Sequence, residues 1–187
     1  MPRDWRGKRS SIFVDSFSPE LVQGVASYGL ELFRSVPNLD FVYVPIGLGS
    51  GICGTIAARN ALGLKTKIIG VVPSGAAAYA LSFHARKPVS TAAVNTIADG
   101  MACRVPNSAA VEIIIQYVDH IVTVADSEII EAMKLYFSAT HNVAEGAAAA
   151  PLAALLQEEE AVINKRVALI HSGSNIDTDL FASVLSS

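Results

Sequence analysis

The sequence predicts an α/β fold in which helices cover both faces of a mostly parallel, twisted sheet. Short apolar runs rich in β-branched residues alternate with longer segments in which apolar residues recur at helical spacing. Strands that alternate with helices pair in parallel through right-handed crossovers. Hydrophobic residues make up 51% of the 187 residues and charged residues only 17%, which is the composition typical of strands buried on both faces.

The first half of the chain contains two predicted strands. Ser18 followed by Pro19 marks the start of a first helix, because a serine oxygen caps a helix and proline is tolerated at its first position. Pro37 and Asn38 end that helix. The next predicted elements are a strand at 41–45, a helix at 52–64, a strand at 67–72 and a helix at 76–84.

The second half continues the alternation. Its predicted elements are a helix at 108–118, a strand at 120–124, helices at 127–137 and 143–159, a strand at 167–170 and a last helix after Asp177. We expect residues 18–187 to form a single α/β domain. Residues 1–17 are polar and lack periodicity, so we expect them to form an irregular N-terminal tail.

Composition argues against several classes of protein. No apolar run approaches the roughly 18 residues of a membrane span, and no signal peptide is evident. We therefore expect a cytoplasmic protein without a membrane partner. The net charge of −3 gives no basic surface for nucleic acid. Cys53 and Cys103 lack the spacing of a zinc site or a disulfide framework, and we expect both to be buried thiols.

A glycine-rich loop is the strongest local signal. It follows the strand at 41–45 and opens the next helix, and it consists of Gly47, Leu48, Gly49, Ser50 and Gly51. Backbone N–H groups at a helix N-terminus, with few side chains in the way, form a site for an anion such as phosphate. Tight packing of a strand-to-helix turn is the structural alternative.

Dinucleotide binding is one functional interpretation of this loop. Gly49, Gly51 and Gly54 fit the G-x-G-x-x-G pattern after a strand. That pattern requires an acidic residue at the end of the next strand to bind the ribose, and the strand here ends in Gly-Val-Val-Pro at 70–73. A nicotinamide-dinucleotide-binding Rossmann module therefore stays an alternative with an incomplete motif.

Three downstream segments support a second interpretation. They are Thr-Ile-Ala-Asp-Gly at 96–100, Asn-Val-Ala-Glu-Gly-Ala-Ala at 142–148 and Ile-His-Ser-Gly-Ser-Asn-Ile-Asp at 170–177. In this order after the glycine loop, from about Phe17 onward, they resemble the C-terminal portion of threonine dehydratases and serine racemases. These are pyridoxal-phosphate enzymes of fold type II, the tryptophan synthase β-like family. The resemblance implies a lyase of amino-acid metabolism whose large domain is incomplete here.

The resemblance also implies a set of cofactor-binding residues. The loop from Gly47 to Gly51 would surround the phosphate of pyridoxal 5'-phosphate, with Leu48 and Ser50 standing where the family commonly has glycine. Gly100 would lie against the pyridine ring, Glu145 near it, and the Ser172 hydroxyl on the pyridine nitrogen. A neutral hydroxyl there leaves the nitrogen largely unprotonated and moderates the ring as an electron sink. The implied substrate is a hydroxy-amino acid such as threonine or serine.

Structural alternatives remain for these residues. Ser172 before Gly173 fits a turn at a strand end, and Glu145 fits a first-turn acid that complements a helix dipole. His171 is a strand residue with a local partner or, alternatively, a catalytic base. The family's cation site uses acidic residues after the second strand, and residues 72–78 contain none, so we predict no metal.

The family's catalytic lysine, which holds the cofactor covalently, lies upstream of every segment matched here. None of the six lysines of this sequence stands in that motif. We therefore predict no catalytic residue in the chain and no activity when it is alone. A truncated reading frame, one piece of a split enzyme and a non-catalytic remnant acting as an interaction protein all remain open. Expected partners are an N-terminal half or further copies in a dimer or other homo-oligomer.

Overall fold

Four parallel strands form the sheet of the computed structural model, which describes residues 16–187. The strands are β1 (Phe41–Pro45), β2 (Lys67–Pro73), β3 (His120–Val124) and β4 (Val167–Leu169). They lie in the order β3-β2-β1-β4, and every neighbouring pair is parallel. The predicted parallel α/β fold is thus confirmed. Residues 1–15 of the predicted tail lie outside the described residues.

Helices connect the strands, and seven α-helices occur within residues 16–187. They are α1 (Pro19–Ser35), α2 (Ser50–Ala61), α3 (Ala78–Ala85), α4 (Ser108–Tyr117), α5 (Asp126–Thr140), α6 (Gly146–Gln157) and α7 (Thr178–Ser186). Short 3₁₀ turns at Ser74–Ala76, Asp99–Met101 and Glu159–Val162 were not predicted. None of these helices combines the length and hydrophobicity that a bilayer span requires.

The two faces of the sheet bury separate apolar cores, because alternate side chains of a strand point to opposite faces. In β1, Val42 and Val44 belong to the core under α1 to α4. Tyr43, between them, belongs to the core under α5 to α7. Helices therefore cover both faces, as the sequence predicts. Cys53 and Cys103 are buried free thiols, also as predicted, and burial raises the pKa of Cys53 to about 12.

Local sequence signals explain the start of α1 and its packing. The Ser18 hydroxyl accepts a hydrogen bond from the Leu21 N–H and caps the helix. Glycines then allow α1 and α2 to approach closely. A Cβ at Gly54 would lie 2.9 Å from the Ala26 backbone nitrogen, and one at Gly29 would lie 3.0 Å from the Ala58 Cβ. Gly54 thus serves helix packing in this fold.

Most helices differ from their predicted bounds by one to three residues, and for two of them the cause is local. The predicted helix at 52–64 begins at Ser50 and stops at Ala61, because Gly63 adopts a left-handed φ of +63°. The predicted helix at 143–159 begins only at Gly146, since Glu145 has an extended backbone with ψ 165°. The Glu145 N–H is instead used in a hydrogen bond to the Gly173 carbonyl. This later start determines where the Glu145 side chain lies.

Candidate functional site

The candidate site lies at the carboxyl edge of the sheet, between β1 and β4. The chain leaves β1 toward β2 and β3 and later returns to β4 on the other side of β1. Ligands of open parallel sheets bind at such a switch point. In the register Tyr43 faces Leu169, and the Ile170 N–H donates to the Tyr43 carbonyl. The glycine loop and residues 171–175 therefore leave neighbouring strands at one edge.

Gly49 shapes the glycine loop. It caps α2 with a left-handed φ of +103°, a conformation that favours glycine. A Cβ here would lie 2.7 Å from the Ala110 Cβ and 3.0 Å from the Tyr79 hydroxyl oxygen. The first N–H groups of α2 have no acceptor within the helix, and its first turn contains no acidic residue. This set of donors fits an anion, and a phosphate group in particular.

Leu48 and Ser50 fit this arrangement. Leu48 is half-buried and packs against the core under α1 to α4. Its carbonyl accepts a 2.6 Å hydrogen bond from the Tyr79 hydroxyl. Ser50 is the first residue of α2, so its N–H belongs to the group of helix N-terminal donors. Both residues keep a backbone N–H in the loop.

Gly100 lies against the start of the glycine loop. A Cβ at Gly47 would overlap the Gly100 carbonyl oxygen, so the two backbones are in direct contact. A Cβ at Gly100 would in turn lie 3.3 Å from the Ala147 Cβ and 4.0 Å from Glu145 Oε1. The structure thus places Gly47, Gly100 and the N-terminus of α6 next to one another.

Glu145 connects this group to the segment after β4. It is the residue before α6, not a first-turn acid, which corrects the structural alternative given by the sequence. Its Oε2 accepts a 3.1 Å hydrogen bond from the Asn175 N–H. A Cβ at Gly173 would lie 2.9 Å from Glu145 Oε1. The half-buried carboxylate therefore faces the loop that carries Ser172.

Ser172 and His171 are both exposed at the end of β4. Ser172 immediately precedes Gly173, which contacts Glu145, so its hydroxyl belongs to the same edge of the sheet as the glycine loop. The His171 ring packs edge-on against Tyr136, with 5.4 Å between ring centroids. This contact gives His171 the local partner expected of a structural residue.

Sequence reasoning missed two residues that hold the site together. Asp126 Oδ1 accepts a 2.6 Å hydrogen bond from the Thr96 hydroxyl, and its Oδ2 accepts one of 3.0 Å from the Ile97 N–H. Asp126 therefore anchors the segment that leads to Gly100. Tyr79, the second missed residue, anchors the glycine loop through Leu48. In the sequence Asp126 resembles an ordinary first-turn acid, and Tyr79 an ordinary core aromatic.

The lysines of the described chain lie elsewhere. Lys65, Lys67 and Lys165 line a pocket of about 640 Å³ at the amino edge of the sheet. At ~3.3 Å per residue the five residues of β1 separate the two edges by roughly 15 Å. Lys134 binds Glu131 on α5, and Lys87 is exposed after α3. Lys8 lies outside the described residues.

Other surface features do not coincide with the site. A pocket of about 350 Å³ lies between α5 and α6 and is lined by Glu128, Glu131 and Gln157 among others. Neither this pocket nor the one at the amino edge includes a predicted site residue. Between Ser16 and Ser187, no group of three or more histidine, cysteine or acidic side chains is arranged to hold a metal ion.

Comparison with known proteins identifies the family. A family profile described as pyridoxal-phosphate dependent enzyme matches residues 3–173. The L-threonine ammonia-lyase of Thermotoga maritima is 31% identical over 179 residues, which cover 95% of this chain and 44% of the relative. The catabolic L-threonine dehydratase of Escherichia coli K12 is 32% identical over 89% of this chain and 51% of its own length.

Solved structures of threonine deaminase and serine racemase are similar to this chain. Threonine deaminase isoform 2 from Solanum lycopersicum superimposes with a TM-score of 0.85 at 30% identity, covering 90% of this chain and 47% of that one. Maize serine racemase gives a TM-score of 0.80 at 29% identity, covering 88% and 51%. The chain thus spans about half the length of the relatives it matches. The resemblance found in the sequence is confirmed, and the chain belongs to the family of pyridoxal-phosphate dependent enzymes.

Proposed function

We propose that this chain supplies the phosphate-binding and ring-binding side of the cofactor site in an ammonia-lyase that dehydrates hydroxy-amino acids such as threonine or serine. One observation carries the proposal most directly. The glycine loop, Gly100, Glu145 and the loop containing Ser172 meet at one edge of the sheet, in a chain whose relatives include L-threonine ammonia-lyases.

Each of these residues has a distinct role in the proposal. The N–H groups of the loop from Gly47 to Gly51, together with the positive end of α2, bind the phosphate. Gly100 leaves room for the pyridine ring, and the Ser172 hydroxyl forms a hydrogen bond to the ring nitrogen. Glu145 holds the loop that carries Ser172. When bound, pyridoxal phosphate supplies an electron sink for the carbon that loses its proton.

The proton-transferring lysine comes, in this proposal, from a segment other than residues 16–187. The described lysines lie at the amino edge, on α5 or exposed after α3, and none belongs to the glycine loop. We therefore propose that the chain alone does not dehydrate threonine or serine. Borohydride treatment with stoichiometric pyridoxal phosphate is expected to give only unselective labelling of exposed lysines such as Lys87, with no single lysine fully labelled. A chain that is labelled at one lysine and turns over threonine would contradict the proposal.

Calorimetric titration tests the proposed cofactor site directly. We expect the chain to bind pyridoxal phosphate more tightly than pyridoxal, which lacks the phosphate. The Ser172→Ala variant should weaken binding of both compounds by roughly fivefold, the effect of one lost hydrogen bond. Ser174→Ala is the matched control, because Ser174 is equally exposed two residues further along and should leave binding unchanged. Absence of any preference for pyridoxal phosphate would refute the proposed site.

Dinucleotide binding is tested in the same titration. In the structure β2 ends at Pro73 and is followed by Ser74, so no carboxylate is available there for a ribose. Gly54 packs against α1. We expect NAD to give no binding heat under conditions in which pyridoxal phosphate binds.

We further propose a cytoplasmic location and association with a complementing N-terminal segment or with further copies of the chain. Apolar side chains such as Val105 and Ile163 are 60% and 65% exposed, and an assembly that covered them would remove apolar area from water. Light scattering of the purified chain provides the test. A stable monomer at high concentration would contradict self-association.

A further inference from the structure

We propose that Tyr79 is a positioning residue of the phosphate site, an inference that rests on the proposed function. Its hydroxyl holds the Leu48 carbonyl on the buried side of the glycine loop, so that the loop turns N–H groups toward the bound anion. Neither the sequence motif nor the family resemblance indicates this residue.

Tyr79 joins two backbone segments that are distant in sequence. It belongs to α3 and is only 1% exposed. Its hydroxyl donates a 2.6 Å hydrogen bond to the Leu48 carbonyl and accepts one of 3.2 Å from the Asn107 N–H. The oxygen thus has both a donor role and an acceptor role, which fixes the direction of its proton. The glycine loop is thereby tied to the start of α4.

Ala110 of α4 packs against the glycine loop at Gly49, beside the Tyr79 hydroxyl. Gly49 sits between the Tyr79 hydroxyl and the Ala110 Cβ, with no room for a side chain. Ala110 is held in place because Asn107 Oδ1 accepts hydrogen bonds from the N–H groups of Ala109 and Ala110. Tyr79 and the first turn of α4 therefore form the rigid back of the glycine loop.

Peptide geometry turns this contact into an effect on the anion. The Leu48 carbonyl and the Gly49 N–H belong to the same peptide unit, and no cis peptide occurs among the described residues. In a trans peptide the C=O and N–H bonds point in opposite directions. Fixing the Leu48 oxygen on Tyr79 therefore points the Gly49 N–H away from the core. A rotated peptide would present a carbonyl oxygen to the phosphate and repel it.

The protonation state of Tyr79 suits this role. Burial raises the pKa of the Tyr79 hydroxyl well above its usual range. The group therefore remains a hydrogen-bond donor to Leu48 throughout the pH range in which the protein would be studied.

Tyr43 provides a matched control for the test. It is also fully buried, and its hydroxyl donates a 2.7 Å hydrogen bond to Glu158, away from the glycine loop. We expect Tyr79→Phe to weaken binding of pyridoxal phosphate by roughly fivefold to tenfold, the usual effect of one hydrogen bond. Binding of pyridoxal should change less than twofold. Tyr43→Phe should change the binding of neither pyridoxal phosphate nor pyridoxal, even if it lowers the urea midpoint as much as Tyr79→Phe does.

The outcomes separate this inference from the proposed function. A wild-type chain that does not prefer pyridoxal phosphate over pyridoxal would overturn both. Normal wild-type preference, retained in Tyr79→Phe, would overturn the role of Tyr79 alone. If Tyr79→Phe does not fold, 4-aminophenylalanine in place of Tyr79 retains a donor toward Leu48. That variant should keep most of the preference, and its complete loss would also contradict the positioning role.

Discussion

The Glu145 carboxylate accepts a hydrogen bond from the Asn175 backbone N–H, 3.1 Å away, and so joins the start of α6 to the loop after β4. The Glu145 N–H donates to the Gly173 carbonyl in the same pair of segments. Two contacts from one residue therefore determine where the loop that carries Ser172 lies. Both contacts are hydrogen bonds within the chain, so the chain itself supplies groups that position this part of the candidate site.

Replacing the Glu145 side chain should weaken the link between these two segments, because only the backbone hydrogen bond to Gly173 would remain. We expect Glu145→Ala to lower the free energy of unfolding by about 1–2 kcal/mol, because a charge-assisted hydrogen bond is lost. Glu145→Gln should lose less than half as much, since an amide oxygen still accepts from Asn175. Urea unfolding measures both. Glu112→Ala, at an exposed position of α4, is the control, and an equal loss in that variant would contradict the assignment.

Gly47 should tolerate no side chain. A Cβ there would overlap the Gly100 carbonyl oxygen, and backbone cannot yield as a flexible side chain does. We expect Gly47→Ala to cost about 1–3 kcal/mol of stability in urea unfolding. Gly24→Ala is the matched control, because nothing lies within 4 Å of a Cβ at this exposed position of α1. That substitution should stabilise the helix by roughly 0.5–1 kcal/mol, and the opposite order of the two would refute the contact.

The fold could be predicted from the sequence because its signals are local. Ser18 and Pro19 mark a helix start that depends only on neighbouring backbone groups. The apolar run at His120–Val124 is a strand with the predicted bounds. The glycine loop is also local, since a strand, a turn and a helix start lie within about a dozen residues.

The remaining parts of the site depend on contacts between distant segments. Tyr79 contacts Leu48 across 31 residues of sequence, and Asp126 contacts Thr96 across 30. Helical periodicity assigns Tyr79 to a buried face but cannot show which carbonyl its hydroxyl meets. The sequence places Glu145 inside a predicted helix for the same reason, because the Gly173 carbonyl that holds it outside α6 belongs to the loop after β4.

Asp126 should prove more important for stability than its position at the start of a helix suggests. Its two oxygens accept hydrogen bonds from Thr96 and Ile97. We expect Asp126→Ala to cost roughly 1.5–3 kcal/mol and to make residues 88–101 sensitive to limited proteolysis. Asp179→Ala is the matched control, because Asp179 is also an acidic residue in the first turn of a helix, α7. Like Asp126 it interacts with the helix dipole, but it lacks the hydrogen bonds to Thr96 and Ile97. Equal effects of the two substitutions would show that the dipole alone accounts for Asp126.

Asp119, at the amino edge of the sheet, should make the stability of the chain depend on pH. Burial alone would raise the pKa of this carboxyl, but hydrogen bonds from His120 and Lys67, together with their charges, lower it below its usual 3.8. The Lys67 ammonium lies 3.0 Å from Asp119 Oδ1.

A carboxyl whose folded-state pKa is depressed contributes stability above its unfolded pKa, and that contribution is lost as the pH falls through the folded-state value. The stability difference between the wild-type chain and Asp119→Asn should therefore shrink as the pH falls below about pH 4. Urea midpoints across this range provide the measurement, with Asp179→Asn as the control. A difference that stays constant down to about pH 2, below the usual range of a carboxyl, would contradict the stabilising pair with Lys67.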